Sequence, residues 1–121
     1  MQNSTTIIKV FDGVTIVAGG TALSDMFDVD LSGGFFSIQL EITGDGTLKV
    51  EQKMSNNDGV DYLIPEGAVP IMSGLTKTSG PGTDGKVIKG FKCDLGALSK
   101  ILLTETGGAD TVTVSGWLAV Q

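Results

Sequence analysis

The sequence predicts an all-β protein, an antiparallel β-sandwich or jelly roll of about eight short strands. Three observations carry this expectation. Apolar and polar residues alternate over several separate stretches, which suits sheets with one buried face and one wet face. The 18 glycines fall between those stretches at turn-like positions, with no collagen repeat and no linker run. No window shows a helical period, and β-branched residues carry most of the strand-forming content while aromatics make up 6%. Eight strands of this length separate poorly into sandwich, jelly roll or barrel by sequence; the regular spacing of turns favours the two-sheet forms.

The clearest alternation runs through FFSIQLEITGDGTLKVEQKM, residues 35–54. Phe36, Ile38, Leu40 and Ile42 share one face. After Gly44-Asp45-Gly46 the row resumes with Leu48, Val50 and Met54, interrupted by Gln52. Asp-Gly supplies the positive φ of a tight turn, so the stretch is expected to be one hairpin. Upstream, residues 5–11 form a first strand with Ile8 and Val10 on one face and Ile7 and Phe11 on the other. Asp12-Gly13 turns the chain into a second strand, 14–18, closed by Gly19-Gly20. SDMFDVDL, residues 24–31, places Phe27, Val29 and Leu31 inward and Met26, Asp28 and Asp30 outward.

Downstream, Ser55 to Gly59 is a turn cluster and residues 62–64 a short strand stopped by Pro65. Residues 66–72 are irregular or a brief edge strand, because Pro65 and Pro70 remove ladder donors. Residues 76–86, TKTSGPGTDGK, contain no apolar side chain and are expected to be an exposed, flexible loop. Residues 87–95 form a strand anchored by Ile88 and Phe91, followed by a short crossover at 96–99. Residues 100–106 and 111–120 form a second hairpin around Gly107-Gly108-Ala109-Asp110, with Val112, Val114, Leu118 and Val120 on one face and Trp117 opposite.

The chain has the size of one domain, 1–121, and needs no disulfide or metal to bury a core. Its single cysteine, Cys93, lies in an alternating run and reads as a buried thiol. The start, MQNSTTIIKV, lacks the pattern of a secretory signal, and no stretch approaches the ~20 apolar residues of a spanning helix. Synthesis in a reducing cytoplasm is therefore expected, with both chain ends held by neighbours in an assembly. All eight basic residues are lysines and the formal net charge is −6, which argues against nucleic acid and anionic membranes as partners.

Little in the sequence points to bond-making. Without histidine, Ser-His-Asp and Cys-His arrangements are excluded, and one cysteine cannot build a thiolate zinc site. Asp28 and Asp30, about 7 Å apart along a strand at ~3.3 Å per residue, fall in the range of glycosidase carboxylates, but a solvated outer face accounts for them. Asn56, Asn57, Asp58, Asp61 and Glu66 offer oxygen ligands without the spacing of a calcium loop, and an Asx-turn cluster accounts for them. Gly44-x-Gly46 and the glycines from Gly80 to Gly85 open no helix, so they are loops rather than phosphate cradles. No enzyme activity, cofactor or metal is expected. The candidate interface residues are Phe35, Tyr62 and Trp117, aromatics placed off the main core face; for Trp117, covering an end of the core is the competing role.

SDMFDVDL, the turn phrase GDGTLKVEQKMS, SNNDGVDYLIP and the C-terminal KILLTETGGADTVTVSGWLAVQ together resemble small structural proteins of tailed phages, over about residues 24–121. The resemblance implies a β-sandwich virion component, a capsid decoration or tail-associated protein. It implies partners that are further copies of the chain and other virion proteins such as the major capsid protein, and location in the virion after synthesis in the host cytoplasm. It carries over no catalytic residue. The alternative is a small sandwich that binds a glycan or another surface ligand, with or without calcium.

Overall fold

The structure is a computed structural model that describes residues 6–28, 35–92 and 98–120. Cys93, Val29, Asp30, Leu31, Leu95 and both chain ends, and the expectations attached to them, lie outside the described residues, as does the side chain of Asp28. The described residues contain nine strands: β1 (Thr6–Ile16), β2 (Thr21–Leu23), β3 (Phe27–Asp28), β4 (Phe35–Gly44), β5 (Leu48–Ser55), β6 (Met72–Leu75), β7 (Lys86–Lys92), β8 (Leu98–Glu105) and β9 (Val112–Val120). Two antiparallel sheets result. The first has the order β1-β9-β4-β7; the second has β2-β8-β5-β6, with β3 also on β8. This is the expected all-β sandwich.

The core fills the space between the sheets. Phe36, Ile38, Leu40 and Ile42 from β4, and Val112, Val114 and Leu118 from β9, meet Leu48, Val50 and Met54 from β5 and Ile101 and Leu103 from β8. Each such side chain contributes about 1.5–3 kcal/mol by leaving water. At one end Phe27 of the second sheet packs edge-on against Phe36 (5.1 Å, 65°), and Phe36 stacks on Phe91 (5.7 Å, 22°). The inward rows read from the sequence are therefore correct for β4, for β5 and for Val112, Val114 and Leu118 of β9, the side chain of Val120 lying outside the described residues, and Gln52 of β5 is buried within its row.

The pairing differs from expectation in three places. β4 bonds to β9 and β7 while β5 bonds to β8 and β6, so Gly44-Asp45-Gly46 carries the chain from one sheet to the other. The expected second hairpin is likewise a crossover, because β8 and β9 belong to different sheets. Alternation reports which side of a strand is buried; it is equally satisfied when the next strand lies across the core. Within the expected strand, turn and strand at 5–18, residues 6–16 are one strand on β9, with register shifts between Lys9 and Phe11 and between Phe11 and Val14. Gly13, at φ 60°, lies inside that irregularity, and its amide donates to Ser115 Oγ at 3.0 Å. The irregularity lets Ile8 and Phe11, three residues apart, both turn inward.

Smaller corrections follow from register. Ile88, paired with Gln39, lies on the outer face of β7 and is 68% exposed, while Val87 and Phe91 anchor that strand inward. Leu98 and Ser99, expected in a crossover, are the first residues of β8. Residues 62–64 form a single bridge, Leu63 to Met54, rather than a strand.

One buried acid organises the loops at the other end of the sandwich. Glu105, 1% exposed, continues the inward row Ile101, Leu103. Its Oε1 accepts from the amides of Gly19 (2.9 Å) and Gly108 (2.7 Å); its Oε2 accepts from Thr47 and Gly107 (both 2.8 Å). The β1–β2, β4–β5 and β8–β9 links thus converge on one carboxylate. These amide donors hold its pKa down at about 2.

The 76–85 connection is tied by its own bonds. The Gly85 amide donates to Ser79 O, the Gly85 carbonyl accepts from Ile42 N, and Lys77 pairs with Asp45, which lowers the Asp45 pKa. A Cβ on Gly85 would lie 2.3 Å from Ile42 O, at φ 78°. Gly85→Ala is therefore expected to cost about 2–4 kcal/mol in urea unfolding, through a backbone clash and a left-handed strain together.

Candidate interaction surfaces

The outer face of the first sheet is set by the same register that builds the core. Lys9, Trp117, Gln39 and Ile88 form one row across β1, β9, β4 and β7. The next row is small: Ala119, Ser37 and Gly90, with Ile7 at the β1 end. Phe35 and Lys92 follow. The structure therefore brings two of the three expected interface residues, Phe35 and Trp117, to one face, with Ile7, Ile88 and Phe35 exposed and Trp117 half-buried. Tyr62 stands apart, beside Lys100 of the second sheet.

Each of these rings has a lysine ammonium over it. Lys9 Nζ lies 5.5 Å from the Trp117 centroid, Lys92 Nζ 5.3 Å from Phe35 and Lys100 Nζ 4.5 Å from Tyr62. Such contacts are worth about 0.5–1 kcal/mol at exposed sites. They cover ring faces that a sugar would need bare.

A second surface lies where β7 and the β5–β6 connection meet. That connection exposes Val60, Leu63, Ile64 and Val69, the last at 81%. A cleft of about 610 Å³ runs between it and β7, lined among others by Gln52, Glu66, Val69, Lys89, Phe91 and Lys92. Lys89 Nζ bridges the cleft to Ile71 O at 2.9 Å. Gln52 Oε1 is buried without a hydrogen-bond partner. Sequence reasoning missed this surface. Its signal was the density of apolar residues, Val60, Leu63, Ile64 and Val69, in a stretch too rich in turns and prolines to bury them.

The oxygen-rich loop spends its groups locally. Ser55 Oγ accepts from Gly59 N, Asn57 Oδ1 accepts from Asp61 N, and Asn57 Nδ2 donates to Asp61 Oδ2. Among the described residues no group of three His, Cys, Asp or Glu is placed to hold a metal ion. Nor is any helix there long and apolar enough to cross a membrane.

No protein-family model matches the chain, and no curated protein matches it. Solved structures do. The chain is similar to VP2 in the subviral particle of infectious bursal disease virus, with 17% identity and a TM-score of 0.55 over 97% of this chain and 32% of that one. A T=1 particle derived from the same virus matches at 14% and 0.52, over 97% and 31%. PliG of Aeromonas hydrophila, a periplasmic inhibitor of g-type lysozyme, matches at 14% and 0.50, over 100% and 93%. At these identities the likeness is one of fold. The chain spans about a third of the length of the two viral chains.

Proposed function

We propose that the chain is a non-enzymatic virion structural protein, a capsid decoration or accessory coat subunit that binds a repetitive lattice and further copies of itself. The observation that carries this reading is the grouping of exposed apolar side chains. Ile7, Phe35 and Ile88 share one sheet face, and Val60, Leu63, Ile64 and Val69 share one connection. A single exposed apolar residue is ordinary on a surface, whereas several on one face or one connection support a place that another molecule covers. The fold likeness to VP2, whose structures are of viral particles, supports the same reading. The lysines over Phe35, Tyr62 and Trp117 weigh against open sugar platforms. The phage and decoration assignments rest on the sequence resemblance over residues 24–121, and the absence of histidine supports a role without turnover.

The test is light scattering of the purified protein with and without a chelator. The expected result is a trimer or larger assembly, unchanged by the chelator. A chelator-sensitive monomer that binds sugars would support the ligand-binding module instead.

A further inference from the structure

We propose that the side of the sandwich carrying β7 is a self-complementary contact, in which β7 of one copy lies beside residues 60–66 of a second copy and the reverse. This rests on the assembly reading and names one of its contacts. β7 is an edge strand of the first sheet, and its outward backbone groups meet no other described strand. It carries Lys86, Lys89 and Lys92, three of the eight lysines of a chain whose net charge is −6. None of the three pairs with a carboxylate among the described residues, whereas Lys9, Lys49 and Lys77 do.

The complementary strip reaches the cleft at Pro65 and Glu66. Leu63 exchanges both backbone bonds with Met54, so the backbone groups of Tyr62 and Ile64 point away from β5. This extended segment is flanked by Asp58, Asp61 and Glu66, none of which pairs with a lysine among the described residues. One side of the molecule thus presents a basic edge on one sheet and, on the other, an apolar edge with three carboxylates against one lysine, Lys100 over the Tyr62 ring, and Lys89 and Glu66 line the same cleft.

Charge selects the geometry. A two-fold axis perpendicular to the sheets would set β7 against β7, lysine facing lysine, which is repulsive. A two-fold axis along the strands sets each basic edge against the partner's acidic one, twice, and covers Val60 and Ile64 at the same time. Edge lysines usually keep strands from pairing. Here they exclude every neighbour except one with the opposite charge.

The experiment uses two full-length variants and light scattering at low ionic strength. One carries Lys86→Glu and Lys92→Glu; the other carries Asp61→Lys and Glu66→Lys, with Glu66→Lys alone as its substitute if the pair melts early. Each variant alone is expected to associate at least about tenfold more weakly than the native chain, because like charges then face each other. An equimolar mixture is expected to regain the native mass, since each altered strip meets its opposite. Added salt is expected to weaken the native contact. Native mass in both variants, or a mixture of folded variants that stays apart, overturns this contact while leaving assembly through other surfaces intact. A native chain that stays monomeric removes the assembly reading itself.

Discussion

Replacing Glu105 by glutamine is expected to lower the melting temperature by on the order of 10 °C, although the side chain keeps its size. The carboxylate accepts four backbone amides from three loops, two on each oxygen. An amide keeps one oxygen and turns an NH2 group toward two N–H donors, so two part-buried hydrogen bonds lose their acceptor and the donors face another donor. Hydrogen bonds to a charged acceptor are also the stronger kind. Alanine at this position is expected to be at least as damaging.

The same carboxylate sets a pH dependence. Its folded pKa, about 2, lies below the ordinary 4.5. A depressed acid contributes stability that is fully present above pH 4.5 and is lost as pH falls toward 2. Urea unfolding across that window is expected to show the native chain losing stability faster than Glu105→Gln, so that the two converge at the acid end. Parallel curves would show that the acid is not held as described.

Leu40→Ala is expected to cost about 2–5 kcal/mol, the range for emptying a buried leucine site. Leu40 is fully buried and is the cross-strand partner of Gly116, which also pairs with Phe11. A Cβ on Gly116 would lie 2.7 Å from Leu40 Cδ2 and 3.4 Å from Phe11 Cδ2. Glycine at 116 therefore makes room for both side chains, and Gly116→Ala alone is expected to cost about 1–3 kcal/mol through overpacking. In the double variant the added methyl enters the space that leucine leaves. The two costs are expected to fall short of their sum by about 0.5–3 kcal/mol. Strict additivity would contradict the register of β4, β9 and β1.

Periodicity of two exposed the inward rows because it is a property of one strand and needs no partner. That is why Phe36 through Ile42 and Leu48 through Met54 were legible and their pairing was not. A short Gly-Asp-Gly link serves a hairpin or a crossover equally well, and the choice is made by β8 and β9, which begin only at Leu98 and Val112. The irregularity near Gly13 was hidden for the same reason, since Asp-Gly signals a local bend whether or not the strand continues. Glu105 was readable only as an acid in an inward row followed by Gly107-Gly108. Its function as a hub depends on Gly19 and Thr47, which the fold brings to it.

Of the candidate interface residues, Phe35 and Trp117 share a face because β4 and β9 are neighbours, a fact of topology. The lysines over their rings arrive by the same route, Lys9 from β1 and Lys92 from β7. The basic edge and its acidic counterpart were each visible as composition. Only their placement on one side of the sandwich makes them complementary.

Sedimentation velocity of the native chain from micromolar to millimolar concentration, at low ionic strength, tests the central claim most directly. Mass action predicts a boundary that moves faster as concentration rises, with the oligomer dominating at the upper end. A single 12.5 kDa species at every concentration would contradict the account.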